Sequence, residues 1–251
     1  EVRYGNFPGF SAGWRISEEN FWKGSSSLSR IVNDLKLKAS YAVVGNPVTG
    51  FPYLSTFSNR PYGNISGLGP SLQGNRDLQW ERSTKYDIGL EASFLNNRFQ
   101  FGFDWFLNDI NELILNVPTP PTAGVPNNSI SQNIGTQRNQ GLEFNLSGDI
   151  YSTKNFRWGF FANFTTVQNE ITSLYSIGEQ AIDFIPNGNY NLIKVGESIN
   201  VIHGLRWAGV NTSNGNPMYY NAKNELIQHN TSGNNAYYFA DNKDAPVDLT
   251  R

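Results

Sequence analysis

The sequence predicts an all-β fold, an antiparallel up-and-down transmembrane β-barrel segment with short periplasmic turns and long extracellular loops. Three observations carry this prediction. Apolar and polar residues alternate with period two in six separate segments, which is the pattern of strands with one apolar and one wetted face. The links between those segments alternate between short and long, and in an up-and-down sheet every second link lies at the same end. No run of about 18 apolar residues offers a membrane-spanning helix, which leaves a barrel, whose spans alternate, untouched.

Phe10, Ala12, Trp14 and Ile16 alternate with Ser11, Gly13, Arg15 and Ser17, giving a strand over about 10–16. Leu28, Ile31, Val32 and Leu35 fall at helical spacing, so a helical connection is expected from Ser17 to Asp34. Leu35, Leu37, Ala39, Tyr41 and Val43 then form one face of a strand over about 35–43, which Gly45-Asn46-Pro47 stops. Residues 45–79 have no sustained period and are read as a long outer loop. Tyr86, Ile88, Leu90, Ala92 and Phe94 precede Asn96-Asn97, and Phe99, Phe101, Phe103, Trp105 and Leu107 follow it, a β-hairpin over about 82–95 and 98–108. If Leu95 pairs with Arg98, Phe94 faces Phe99 and Leu90 faces Phe103, with Glu91, Asp87, Asp104 and Gln100 on the opposite, wetted face. A second long loop covers 109–140. Strands over about 141–151 and 156–166 follow, joined by the turn Ser152 to Asn155, and a third long loop covers 171–251. Phe94, Phe101, Leu90, Phe103, Phe144 and Phe160 are expected to face lipid. Phe101→Arg should therefore block assembly and Glu91→Arg should be tolerated.

Composition excludes several functions. A net charge of −2 with scattered basic residues gives no footprint for nucleic acid. With no cysteine, neither a disulfide scaffold nor a thiolate metal site can form. His203 and His229 lie in aperiodic sequence without a metal-ligand motif, and a solvated-loop role is expected for both. Asp87, Glu91, Asp104, Glu143 and Asp149 are read as lumen carboxylates, not a glycosidase pair. No catalytic residue, cofactor site or metal site is expected, and no enzyme. The start lacks a signal peptide's basic and apolar regions and the end is turn-like, so both are read as cuts in a longer protein.

The aromatics divide by position. Trp14, Trp105 and Trp158 stand at alternating strand sites and suit lipid or its interface. Tyr53, Tyr62, Tyr190, Tyr219, Tyr220, Tyr237 and Tyr238 fall in the aperiodic stretches, where flat rings with polar tips suit contacts to sugar or peptide. These seven are the candidate ligand-binding residues.

Several stretches resemble one family, the SusC/RagA-type TonB-dependent outer-membrane transporters. They are Phe7-Pro8, Ser11 to Glu19, Leu35 to Tyr41 with Gly45-Asn46, Asp77 to Glu81, Asn133-Ile-Gly135, Asn139 to Glu143 and the Gly196 and Gly209-Val210 region. The resemblance covers roughly residues 5–220 and implies part of the wall of a barrel of about 22 strands closed by a plug; no plug domain or TonB-contacting segment is read in this chain. It further implies a place in the bacterial outer membrane and TonB-driven uptake of a large nutrient, an oligosaccharide or peptide. A SusD-type surface lipoprotein would be the partner. The alternative from another class is a non-transporting glycan-binding or adhesion β-sandwich.

Overall fold

A computed structural model describes residues 4–24, 28–177, 180–188, 190–221, 223–229, 237–239 and 242–246. Six long strands make one sheet: β1 (Gly9–Arg15), β2 (Val32–Asn46), β3 (Glu81–Phe94), β4 (Phe99–Asn111), β5 (Thr136–Ser152) and β6 (Arg157–Ser173). Each pairs antiparallel with its sequence neighbour, so spatial order equals chain order. This is a single meander and not two packed layers, as a sandwich would be.

The hairpin pairs Phe94 with Phe99, Leu90 with Phe103 and Ile88 with Trp105, as the alternation requires. Asn96 and Asn97 turn it with φ of 58° and 61°, a left-handed conformation that asparagine tolerates better than most residues. Followed across all six strands, the register lines up Trp14, Leu37, Leu90, Phe103, Phe144 and Phe164 in one unbroken apolar row. Neighbouring rings touch, with Phe103 and Phe144 centroids 5.1 Å apart and Phe144 and Phe164 6.2 Å apart.

The apolar band does not follow these rows. Its upper edge is Val43 on β2, Tyr86 on β3, Leu107 on β4, Leu142 on β5 and Phe164 on β6. By register, the partners in line with Val43 on β3 to β6 are Thr84, Asp109, Arg138 and Glu170, all polar. Its lower edge steps the same way, from Trp14 on β1 to Trp158 on β6. A drift of three residue pairs is about 20 Å along the strands over four strand spacings, about 19 Å. The strands therefore cross the band at an angle on the order of 40°, the tilt a barrel wall needs. A sheet that only packed against another layer would have no reason to shift its band in this way.

The opposite face is polar and ion-paired. Lys38 Nζ lies 2.8 Å from Asp104 and 3.2 Å from Glu91, Lys36 lies 3.4 Å from Glu91, and Arg15 lies 3.4 Å from Asp34. Gly89 makes room for this ladder, since a Cβ there would overlap both Asp104 and the Lys38 stem. Phe106 and Phe161 also lie on this face. Phe106 covers Gly141, where a Cβ would overlap the Thr166 carbonyl.

The connections depart from the sequence reading. Instead of one helix from Ser17 to Asp34, short turns occupy Ile16–Glu18, Asn20–Lys23 and Leu28–Ile31, and β2 already begins at Val32. Gly24 ends the second turn, and β-branched Val32 pairs with Phe94, so strand pairing overrides the helical spacing. Each long connection also carries its own structure. A hairpin of Thr56–Asn59 and Leu68–Leu72 sits in the first, and one of Ile114–Pro118 and Ser129–Asn133 in the second. In the third, Leu174, Tyr175, Val195 and Ile199 pack on the end of β6 around buried Leu113, Ile171, Ile185 and Ile193.

The rest of that stretch belongs to a second compact unit, residues 188–191 and 202–251. Its described strands, Arg206–Val210, Pro217–Tyr220, Leu226–His229, Tyr237–Phe239 and Asn242–Pro246, form a five-stranded antiparallel sheet. Ile227 is fully buried in it.

Candidate functional site

The long-connection end of the sheet is where side chains converge. Glu81, the first residue of β3, accepts hydrogen bonds from Asn46 Nδ2 at 2.6 Å and from the Ile114 amide at 2.9 Å. Asn133 accepts from the Gln79 amide at 2.7 Å and donates to the carbonyls of Gln79 at 2.8 Å and Glu112 at 3.0 Å. Asn75 donates to the Ser131 carbonyl at 2.9 Å while its own Oδ1 accepts from the Asp77 amide at 3.0 Å. Leu78, 1% exposed, anchors the crossing segment. Three short polar side chains thus staple the first two long connections together, satisfying backbone groups that no ladder reaches.

Between the stapled segments lies a cleft of about 670 Å³ lined by Gln73, Asn75, Arg76, Asp77, Gln132 and Asn133, among others. Side-chain amides offer donors and acceptors from one group. Such a lining matches ligands that present both, such as sugar hydroxyls or a peptide backbone, and Arg76 and Asp77 add one charge of each sign. These residues escaped the sequence reading, which looked for rings. Asn133-Ile-Gly135 stood out only as a likeness, although a lone asparagine ahead of a glycine turn is a recognisable backbone-binding signal.

The seven tyrosines do not share one place. Tyr53 is half-buried with its ring 6.1 Å from Phe51, and Tyr62, 88% exposed, tips the first hairpin, where it bridges Ile65. In the second unit Tyr190 is exposed and its carbonyl accepts from the His203 amide at 2.7 Å. Tyr219 and Tyr237 are brought together on one sheet face with Trp207 and His229. Successive centroids from Trp207 through Tyr219 and Tyr237 to His229 are 5.4, 6.0 and 4.6 Å apart. Burial, with Tyr219 alongside, pushes the Tyr237 hydroxyl's pKa up. Tyr220 lies on the other face with Arg206 over its ring at 4.5 Å. The side chain of Tyr238 lies outside the described residues. Buried Gln228 accepts from Asn211 and Asn214, both at 3.0 Å, and so fixes the turn that leads into Pro217–Tyr220.

Among the described residues, no three His, Cys, Asp or Glu side chains converge as a metal site would require. His203 lies exposed in a loop as expected, whereas His229 ends the strand Leu226–His229 with its ring against Tyr237 and is not a solvated loop residue.

Residues 2–247 match the family described as TonB dependent receptor-like, beta-barrel. A TonB-dependent receptor of Formosa agariphila is 34% identical over 209 residues, 82% of this chain and 19% of the relative. The TonB-dependent receptor SusC of Bacteroides thetaiotaomicron is 32% identical over 249 residues, 92% of this chain and 24% of that protein. Among solved structures, that of the RagAB peptide transporter superposes with a TM-score of 0.73 at 26% identity, over 94% of this chain and 25% of the other. A second, the RagAB peptide importer in its 'open-open' state, gives 0.72 at 27% identity, over 90% and 24%. The chain thus spans about a fifth to a quarter of the relatives it matches, and their names are those of receptors and transporters rather than enzymes. An oblique apolar band, a wetted ion-paired face and a match along nearly the whole chain lead to one conclusion: this chain belongs to the TonB-dependent receptor β-barrel family and is part of a barrel wall of the bacterial outer membrane.

Proposed function

We propose that the protein takes up a large nutrient, an oligosaccharide or peptide, across the outer membrane, driven by TonB and with a SusD-type lipoprotein seated on its outer connections. The observation that carries this reading is the stapled cleft, whose amide lining stands at the end of the wall where the long connections gather. A wall needs only to satisfy lipid on one side and water on the other, whereas three side chains committed to holding two connections together build a surface for something else. The name SusC and the peptide transport named for RagAB support the reading from outside the chain. Ligand and lipoprotein contacts are assigned to residues 45–79, 109–140 and 171–251. Tyr53, Tyr62, Tyr190, Tyr219, Tyr220, Tyr237 and Tyr238 are the aromatic candidates.

The test is uptake by cells that carry the intact transporter, with TonB, a SusD-type lipoprotein partner, or Asn133 altered in turn. Loss of uptake without TonB or without the lipoprotein, and a raised half-saturation concentration in Asn133→Ala, are expected. Uptake that persists unchanged without TonB would overturn the reading.

A further inference from the structure

The first part of the third connection folds inward, over the wetted face of the wall. On that face of β6, Asn163, Thr165 and Val167 point to the lumen and are exposed, Val167 at 64%. Asn169, the next lumen-facing residue up, is half-buried, and Ile171 above it is 0% exposed. Gln137 of β5, the register partner of Ile171, is buried too, and Ile110 of β4 shares their row. A face that is bare at Val167 and closed at Ile171 has something laid over it. The cover comes from the third connection, whose Ile185 and Ile193 are buried with Ile171 and Leu113, with Ile110, Val195 and Ile199 packed against them.

Hydrogen bonds hold the cover to the wall. Asn169 Oδ1 accepts from the Ile199 amide at 2.7 Å, and the Asn169 carbonyl accepts from Ser198 Oγ at 3.0 Å. Asn169 Nδ2 in turn donates to Asn139 Oδ1, which also accepts from Gln137 Nε2 at 3.3 Å, so the anchor is itself held by β5. The Ile171 amide donates to the Glu197 carbonyl at 2.9 Å, and its carbonyl accepts from the Gly196 amide at 2.8 Å. Gly196 has a φ of 82°, a bend that a residue with a Cβ rarely adopts. Buried aliphatics together with a paired backbone make a segment that opens rarely, a shelf and not a flap. Asn169 and Ile171 stand above Phe164, the upper edge of the band on β6, by roughly 13 to 18 Å once strand tilt is allowed for. That height is the outer mouth of the lumen.

We propose that residues 182–187 and 192–199 form a fixed inward shelf at this mouth, which limits the bulk of the nutrient that can enter along this part of the wall. This limit rests on the uptake reading above and assigns size selection to Asn169, Ile171 and Ile193, which hold the shelf in place.

The experiment labels single cysteines on cells that carry the intact transporter without its lipoprotein partner, using maleimides on short or long poly(ethylene glycol) chains. Thr165→Cys puts a thiol on the exposed lumen face below the shelf, and Asn64→Cys puts one at the exposed tip of the first outer hairpin. The short reagent should label both, whereas the long one should label Thr165→Cys about tenfold more slowly than Asn64→Cys. Ile193→Lys sets a charge among buried aliphatic side chains and should release the shelf. Long-chain labelling of Thr165→Cys should then rise about tenfold while the heat-modifiable band is kept. Asn169→Ala removes the anchor and should give a smaller rise in the same direction, should the lysine variant not assemble. Long chains that reach Thr165→Cys as fast as Asn64→Cys past the unaltered shelf would overturn the proposal, as would an exclusion that neither variant relieves. Labelling needs neither TonB nor a nutrient, so this test and the test of uptake fail separately.

Discussion

The wall and its outer connections hold their shape by different means. In the wall, register and alternation determine everything: six strands pair in chain order, and each substitution of lipid-facing by lumen-facing character is read by a whole row. In the connections, single side chains decide: Asn133 alone satisfies three backbone groups in two segments. The first kind of order repeats every two residues and can be seen in a sequence. The second depends on partners 21 to 54 positions apart in aperiodic sequence and cannot.

The largest effect that would separate the two regions is a charge in the middle of the apolar row. Phe103→Arg should prevent assembly, since an arginine at the bilayer midplane costs about 2 to 4 kcal/mol. Loss of the heat-modifiable band on a denaturing gel would report it. On the opposite face Asn163→Arg should leave that band intact. Glu91→Arg, expected from the sequence to be tolerated, is no longer a neutral control, because Lys36 and Lys38 both pair with Glu91 and would face a third cation.

Next comes the close contact inside the wall. A methyl at Gly141 would overlap the Thr166 carbonyl and lie 2.7 Å from the Phe106 ring. Gly141→Ala should therefore destabilise the barrel by about 1 to 3 kcal/mol, measured as a lower midpoint of urea unfolding in lipid.

A similar loss confined to the connections is expected of Asn133→Ala. It removes three hydrogen bonds to exposed or part-buried backbone groups, each contributing about 0.5 to 1.5 kcal/mol, but only locally. Amide exchange should quicken at Gln79 and Ile114 and stay unchanged at Leu90 and Phe103. Faster exchange throughout the wall would mean that the two regions are not separable as described.

The smallest effect is at the short-turn end. Lys23, 2.7 Å from the exposed Glu18, holds that carboxyl below the usual carboxylate range. A depressed acid contributes stability above its unfolded pKa and loses it as pH falls through the folded one. Lys23→Gln should raise the Glu18 pKa in an NMR titration and leave the unfolding midpoint unmoved, because exposed pairs contribute little.

How much was legible follows the same division. The β3–β4 pairing could be written down from Asn96-Asn97 and the alternation on either side, residue by residue. Phe106 and Phe161 were passed over because period two assigns a face but not what the neighbouring strand presents there; Gly141 opposite Phe106 is the missing half of that argument. The strands of the second unit were read as loop because each is short and the links between them are asparagine turns. Asn221 Oδ1 accepts from the amides of Lys223 at 3.1 Å and Glu225 at 2.8 Å, a local bond that looks in sequence like the absence of structure. Rings were visible as residues, but their grouping into the Trp207, Tyr219, Tyr237 and His229 cluster needed the register.

The central claim is that the apolar band runs obliquely to the hydrogen-bonded rows, and it can be measured directly because this chain has no cysteine. Single cysteines at positions 43, 86, 107, 142 and 164 of the intact protein, labelled with a nitroxide and reconstituted in lipid, would report immersion depth through collision with oxygen and with a water-soluble relaxant. The oblique band predicts one common depth for all five, at the upper edge of the hydrocarbon. A common depth instead for positions 41, 86, 107, 140 and 168, which share one hydrogen-bonded row, would contradict it.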